Sequence, residues 1–310
     1  MTTSKKKRRR VRWNRLIVLI LLLCLVLGLV ARGISILFSL GSKSESKEED
    51  KTSQTVKKQS DKTVDTTAIE AVVKPDFITQ ETFDALKANA LSGSSTAWQD
   101  SDLLTNINDY DEDILTFYLR DSDRYEFVKG WPIRDQYQTP PEALSESLQT
   151  VPAILQWDLR WGYQPYGDSM IYAVGCAPTC MSMVASYLNQ DASLTPRVIS
   201  DWADTNGEYG PGQGTLYSFF TDAASQYGLN VETIELDQAA IEQAITDGKV
   251  LIFHMLPGTF TTFGHFVVVG DVKDGQLVIN DPNSIERSSH TWAMDDVLPE
   301  TATIWAYSRA

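Results

Sequence analysis

The sequence has 310 residues, a net charge of −14, 43% hydrophobic residues and 22% charged residues, which is ordinary for a folded protein of one or two domains. Residues 1–40 carry nine of the 27 basic residues and none of the 41 acidic ones, so the rest of the chain has a net charge of −23. An outer part this acidic argues against nucleic acid as a partner.

The first 40 residues combine a basic flank with an apolar segment. Residues 1–15 hold eight Lys or Arg and no acid, and residues 16–40 are apolar with a single charge at Arg32. This order predicts a basic cytoplasmic tail, then one transmembrane helix, with the rest of the chain outside the cell. A cleaved signal peptide fits less well, because the apolar stretch is long and no small-residue cleavage site follows it. Cys24 is interpreted as part of this helix rather than as a lipid anchor.

A tether and a helical region follow. Residues 41–75 have almost no large apolar side chains, which predicts a flexible, disordered linker. From Asp76 the apolar spacing predicts short helices, with Thr79 as a candidate cap, and these form a small helical subdomain over residues 76–150.

Three alternating aspartates in this region resemble the start of a calcium loop. They are Asp109, Asp111 and Asp113, but Ile114 and Arg120 stand where such a loop needs Gly and Glu. Carboxylates that cap the start of a helix explain them better.

After Pro152 the pattern changes. Helices are predicted near residues 177–189, 196–205, 215–227 and 237–247, and strands near 249–256, 265–272, 276–281 and 301–308. Helices followed by closely spaced strands predict an α+β domain with an antiparallel sheet over residues 151–310. The stretch GPGQG (210–214) lacks the Lys-Ser/Thr and the preceding strand of a phosphate loop, so it is interpreted as a turn before a helix at Thr215.

The stretch GCAPTC (175–180) holds two of the three cysteines. A Cys176–Cys180 disulfide would close a very short loop, and a zinc site lacks further ligands at suitable spacing. The favoured alternative is a nucleophile. Pro178 suits the first turn of a helix, and a thiol just before it faces the positive end of the helix dipole, which favours the thiolate.

A nucleophilic thiol needs a base, and the chain offers three histidines. His265 opens an apolar strand, where a polar ring has no hydrophobic reason to be. Asp281 ends the next strand, where a hairpin would place it beside His265 to orient the ring. His254, inside a strand, and His290, in a polar loop, rank as spare bases.

Four stretches together resemble the peptidase_C39-like group of papain-like cysteine peptidases: VPAILQWDLRWGYQPYG, GCAPTCMSMVASYL, GHFVVVG and INDP. The resemblance covers about residues 151–308, with Ala177 in place of the second Gly of the motif Gly-Cys-Gly-Pro-Thr. It implies helices packed on an antiparallel sheet, with Cys176 as nucleophile, His265 as general base and acid, Asp281 orienting the ring, and Gln156 as an oxyanion-hole donor.

The aromatic residues that follow Gln156 in the sequence are expected either in a substrate cleft or in the core. Trp157, Trp161, Tyr163 and Tyr166 could line a substrate cleft, although core packing is expected for at least half of them.

The expected function is therefore that of a thiol hydrolase held at the outer surface of a bacterial cell membrane by one helix, N terminus inside. It would act on peptide, protein or cell-wall peptide substrates, with no metal and no cofactor predicted. Two alternatives stay open. One is a catalytically silent module that binds peptides or cell wall, and the other is a peptidoglycan amidase or endopeptidase.

Overall fold

The computed structural model describes residues 64–310. The predicted membrane segment 16–40, its basic tail and the first part of the predicted linker lie outside these residues. Among the residues described, no helix is long and apolar enough to cross a membrane.

The described chain begins with short helices. They are α1 (Thr66–Ala71), α2 (Gln80–Ala90), α3 (Ala97–Thr105), α4 (Glu112–Leu119) and α5 (Tyr125–Lys129), with 3₁₀ turns at Ile107–Asp109, Ser122–Arg124 and Trp131–Tyr137. The side chain of Thr79 accepts a hydrogen bond from the Thr82 amide, as its role as cap of α2 predicts. Asp111 caps α4 in the same way, so the capping interpretation of this aspartate is confirmed.

Helix α1 lies inside the segment that composition predicts as a linker. It forms because the Asp65 carboxylate accepts bonds from two amides of the first turn, and because Ile69 is fully buried. Regular structure therefore begins before Asp76.

The remaining elements form the α+β part. The helices are α6 (Ile171–Val174), α7 (Cys176–Asn189), α8 (Pro196–Thr205), α9 (Phe219–Gln226), α10 (Gln238–Thr246), α11 (Ile285–Ser288) and α12 (Met294–Val297). The strands are β1 (Pro165–Tyr166), β2 (Ser169–Met170), β3 (Tyr209–Gly210), β4 (Gly214–Thr215), β5 (Leu229–Ile234), β6 (Val250–Met255), β7 (His265–Lys273), β8 (Gln276–Asn280), β9 (Thr291–Ala293) and β10 (Thr301–Arg309). A last 3₁₀ turn spans Leu298–Glu300.

Six of these strands form one antiparallel sheet in the order β5-β10-β6-β7-β8-β9. Helix α7 packs on one face, against Val250 and Ile252 of β6, while α10 packs on the other, against Leu251 and Phe253. The central strand β6 is therefore buried on both faces, which explains its unbroken apolar run.

Two sequence expectations need correction. The helix predicted from Thr215 begins at Phe219, because GPGQG joins the short strands β3 and β4 as a hairpin turn in which Gly212 and Gly214 have positive φ. Strand β5 was not predicted, because it is a half-exposed edge strand with Asn230 and Glu232 facing solvent.

Candidate active site

Cys176 is the first residue of α7. Its side chain is partly exposed, whereas Cys180, one turn further along, is completely buried, and both cysteines are free. The amide groups of the first helical turn carry partial positive charge. Burial raises the pKa of Cys180 well above its usual value. Cys176 is therefore the thiol of the two that is suited to react.

Two small residues, Gly175 and Ala177, flank Cys176 at the start of the helix. A Cβ at Gly175 would lie 2.5 Å from the carbonyl oxygen of Ile171, so only glycine fits. Ala177 is buried in the core between α7 and the sheet. Ala177 does not line the cleft.

We expect Gly175→Ala to displace the start of α7, because the new methyl would collide with backbone rather than with a flexible side chain. The free energy of unfolding should fall by about 1–3 kcal/mol, and alkylation of Cys176 should slow. Urea unfolding and iodoacetamide labelling measure both effects. For the stability measurement Gly264→Ala is the matched control, because its Cβ would meet only the His254 ring at 3.5 Å. An equal loss of unfolding free energy in the two variants would contradict the steric argument.

His265 and Asp281 meet at the end of a strand pair. His265 begins β7, Asp281 follows β8, and the antiparallel register pairs Val268 with Asn280. Nε2 of His265 lies 2.8 Å from Oδ1 of Asp281, and both side chains are buried. His265 and Cys176 line the same cleft, and the thiol is one of the groups that raise the pKa of His265. Since Nε2 is engaged by Asp281, Nδ1 is the nitrogen left to face the thiol.

The electrostatics of this pair favour two charged groups. Burial lowers the pKa of His265, but Asp281 and then Cys176 outweigh it and raise the pKa to about 10. Burial likewise raises the pKa of Asp281, but His265 and Arg287 hold it below its usual value. At neutral pH the pair is an imidazolium and a carboxylate.

Three further residues hold Asp281 and were not predicted. Nε of Arg287 donates to Oδ2 at 2.5 Å, the Asn283 amide donates to Oδ1 at 2.7 Å, and the Ser288 hydroxyl accepts from the Asp281 amide at 2.9 Å. The Asn283 contact is an Asx turn, which the sequence Asp-Pro-Asn could have indicated. Nothing in the sequence pattern indicated Arg287, because its contact arises where α11 folds back on the turn.

Gln156 lies close to the same turn and is 3% exposed. Its backbone amide donates to the carbonyl of Pro282 at 2.7 Å, and its Nε2 donates to the carbonyl of Tyr172 at 2.7 Å. An amide nitrogen carries two hydrogens, so one Nε2 hydrogen remains for a ligand. The structure thus brings all four predicted site residues to one place.

Three of the four, Gln156, Cys176 and His265, line a cleft of about 770 Å³, and Asp281 lies behind His265. Residues from 113–124 of the helical region form one wall of the cleft, and residues 258–264 also line it. The aromatic residues that were candidates for the cleft are elsewhere. All of them are buried and none lines it: Trp157, Trp161, Tyr163 and Tyr166.

The two other histidines do not lie in this cleft. Nδ1 of His254 contacts the Tyr217 hydroxyl, and its ring stacks on Phe266. His290 is exposed and lies 3.6 Å from Glu286. Neither ring belongs to a metal-binding group, since residues 64–310 contain no cluster of three or more His, Cys, Asp or Glu suited to hold an ion.

Comparison with known proteins supplies the family. The model of the Peptidase_C39 like family matches residues 148–310. Among solved structures, the peptidase domain of Streptococcus ComA, described as a bi-functional ABC transporter involved in a quorum sensing pathway, is 19% identical. The match covers 44% of this chain and 93% of that domain, with a TM-score of 0.36.

A Bacillus anthracis protein described as a C39-like peptidase is 13% identical over 52% of this chain and 95% of its own, with a TM-score of 0.35. No curated protein matches. The family match spans more than half of the chain and covers every predicted site residue, and the chain therefore belongs to the Peptidase_C39 like family.

Proposed function

We propose that this protein is a cysteine peptidase in which Cys176 attacks the carbonyl carbon of a peptide bond. The observation that carries this proposal is the partly exposed thiol at a helix start, which lines the same cleft as His265, whose ring is bonded to the buried carboxylate of Asp281. Such a pairing of nucleophile, base and orienting carboxylate is the arrangement that acyl transfer through a covalent intermediate requires.

The reaction divides into two steps. The Cys176 sulfur forms a bond to the carbonyl carbon, and Nδ1–H of His265 gives its proton to the leaving amine as the C–N bond breaks. His265 then takes a proton from water, whose oxygen attacks the thioester carbon; the C–S bond breaks, the acid leaves, and the thiolate and imidazolium are restored. Asp281 keeps its charge throughout and stabilises the imidazolium.

Gln156 is proposed as the oxyanion donor. Negative charge grows on the carbonyl oxygen during the attack, and donors fixed before the reaction stabilise it without reorganisation. The free Nε2 hydrogen of Gln156 and the backbone amide of Cys176 would supply these bonds. The bond to the Tyr172 carbonyl holds the amide of Gln156 in one orientation.

We place this activity at the outer surface of a bacterial membrane. Support comes from the sequence alone, through the basic tail 1–15 and the apolar segment 16–40. The substrate is a peptide, a protein or a cell-wall peptide. Phe263, 87% exposed at the rim of the cleft, offers an apolar contact to a substrate side chain.

The first test is iodoacetamide labelling of the reduced full-length protein, read by peptide mass spectrometry. At about pH 6 we expect Cys176 to react roughly ten-fold or more faster than an unpaired thiol, because the His265 imidazolium stabilises the thiolate. His265→Ala should remove this advantage. Cys180 is the internal control, since its burial predicts little labelling. If Cys176 is labelled slowly, at the same rate in the wild type and in His265→Ala, a catalytically silent binding module is favoured.

Products then identify the bond that is cleaved. The wild type is incubated with a mixture of peptides and, separately, with purified cell wall, and new amino termini are identified by mass spectrometry. Cleaved peptides support the peptidase. Release of fragments from cell wall alone would favour the amidase or endopeptidase and would count against a general peptidase.

A further inference from the structure

Arg124 precedes the family match at residues 148–310, yet its guanidinium contacts the turn that follows Asp281. Nη1 donates to the Phe117 carbonyl at 2.9 Å, and Nη2 donates to both the backbone oxygen and the Oδ1 of Asn283, each at 3.0 Å. The guanidinium lies 4.1 Å from the centre of the Phe117 ring. Arg124 is only 5% exposed.

The contact continues to the His265–Asp281 pair. The Asn283 amide donates to Oδ1 of Asp281 at 2.7 Å, and the same oxygen accepts from Nε2 of His265 at 2.8 Å. A continuous series of hydrogen bonds therefore joins a residue of the helical region to His265, the ring whose pKa is also raised by the Cys176 thiol.

Burying this arginine is costly, which makes a purely space-filling role a poor explanation. The nearest carboxylate, on Asp121, is 4.0 Å away, and the other partners are neutral oxygens. Burial lowers the pKa of Arg124 to about 10, which reflects this cost. An apolar side chain of similar volume would pack over Phe117 with less penalty. What arginine adds is a rigid set of donors that fixes the position of Asn283.

We propose that the helical region is a working part of the hydrolase, with Arg124 as a positioning residue. Arg124 holds the Asp281–Asn283 turn so that Asp281 stays bonded to His265. Residues 113–124, which carry it, also form one wall of the cleft. The effect of Arg124 on catalysis rests on the proposed function. Whether Arg124 holds the Asp281–Asn283 turn in place can be measured without any assay of activity.

The test uses the full-length chain with Arg124→Met and Arg124→Lys. Methionine keeps an unbranched stem over Phe117 but removes every donor, and lysine keeps the charge but replaces the planar, rigid set of donors with a single flexible nitrogen. The control is Arg134→Met. Arg134 also donates to a backbone carbonyl and lies 4.3 Å from the ring centre of Trp131, but it does not line the cleft.

The main readout is the ring N–H signal of His265 in NMR spectra of ¹⁵N-histidine-labelled protein. The chain has three histidines, and His265→Gln assigns the signal. We expect Arg124→Met to broaden or abolish it through solvent exchange, Arg124→Lys to weaken it, and Arg134→Met to leave it intact. Labelling of Cys176 at about pH 6 should fall about ten- to a hundred-fold in Arg124→Met, as a displaced site predicts.

The outcomes separate the two proposals. A retained His265 signal with wild-type labelling in Arg124→Met, even at reduced thermal stability, would overturn the positioning role and leave the peptidase proposal intact. Ordinary labelling of Cys176 in the wild type would count against the peptidase, while the NMR comparison would still decide whether Arg124 positions the turn.

Discussion

Cys176→Ser is expected to reduce hydrolysis of any cleaved peptide by about 10⁴-fold or more, because a serine hydroxyl beside an imidazolium is a far weaker nucleophile than a thiolate. The fold should survive, since the side chain is small and partly exposed at the start of α7. The rate of appearance of new amino termini measures activity, and thermal unfolding measures stability.

Cys180→Ala is the matched control for this change. Cys180 lies on the same helix and is completely buried, so its loss should lower stability and leave the chemistry in place. If Cys176→Ser kept its activity, or if Cys180→Ala lost it while folded, the assignment of the nucleophile would be wrong.

Asp281→Ala is expected to cost about 3–5 kcal/mol of unfolding free energy, because it leaves the charges of His265 and Arg287 without their partner. The melting temperature should fall by roughly 6–20 °C. Asp281→Asn should cost less, since the amide oxygen still accepts one bond. Asp296→Ala, at an exposed carboxylate, is the control and should stay within about 0.5 kcal/mol.

The cost of Asp281→Ala should depend on pH in a defined way. The folded pKa of Asp281 is lowered, so its contribution is present above its unfolded pKa of about 3.9 and is lost as the pH falls. The folded pKa of His265 is raised to about 10, so its contribution is complete below its unfolded pKa of about 6.5 and is lost as the pH rises.

The difference between wild type and Asp281→Ala should therefore be largest between about pH 4 and 6.5 and should decline toward pH 10. Urea unfolding at several pH values measures it. A difference that did not change with pH would mean that the ion pair is not the source of the stability.

The sequence predicted the site residues better than their surroundings. A cysteine before a helix proline, a histidine opening an apolar strand and an aspartate ending the next one were visible as patterns, and hairpin geometry predicted that His265 and Asp281 would meet. Arg124 was not predicted, because its contact with Asn283 joins segments that are distant along the chain. Arg287 was not predicted, because its contact with Asp281, six residues earlier, depends on how α11 folds back on the turn. A basic residue in a short helix has the same local pattern whether it faces solvent or a buried carboxylate.

The secondary structure shows the same limit, because a local sequence pattern does not reveal which other segment a strand or turn contacts. The buried strands β6, β7, β8 and β10 were predicted within one or two residues, because their apolar runs are long. Strand β5 was missed, because its pairing partner is far along the chain, as Tyr307 is for Val231. GPGQG was predicted to be a turn that leads into a helix, whereas it joins two short strands in which Tyr209 pairs with Thr215.

The position of β10 has a consequence for how the protein folds. This strand lies between β5 and β6, pairing Tyr307 with Val231 on one side and Trp305 with Ile252 on the other. Neither neighbour can complete its hydrogen bonds until a segment many residues later arrives, so loop-closure entropy is lost before the pairing is gained. Folding should be slow for this reason, and until β10 is inserted the apolar edge of β6 is exposed to association with other chains.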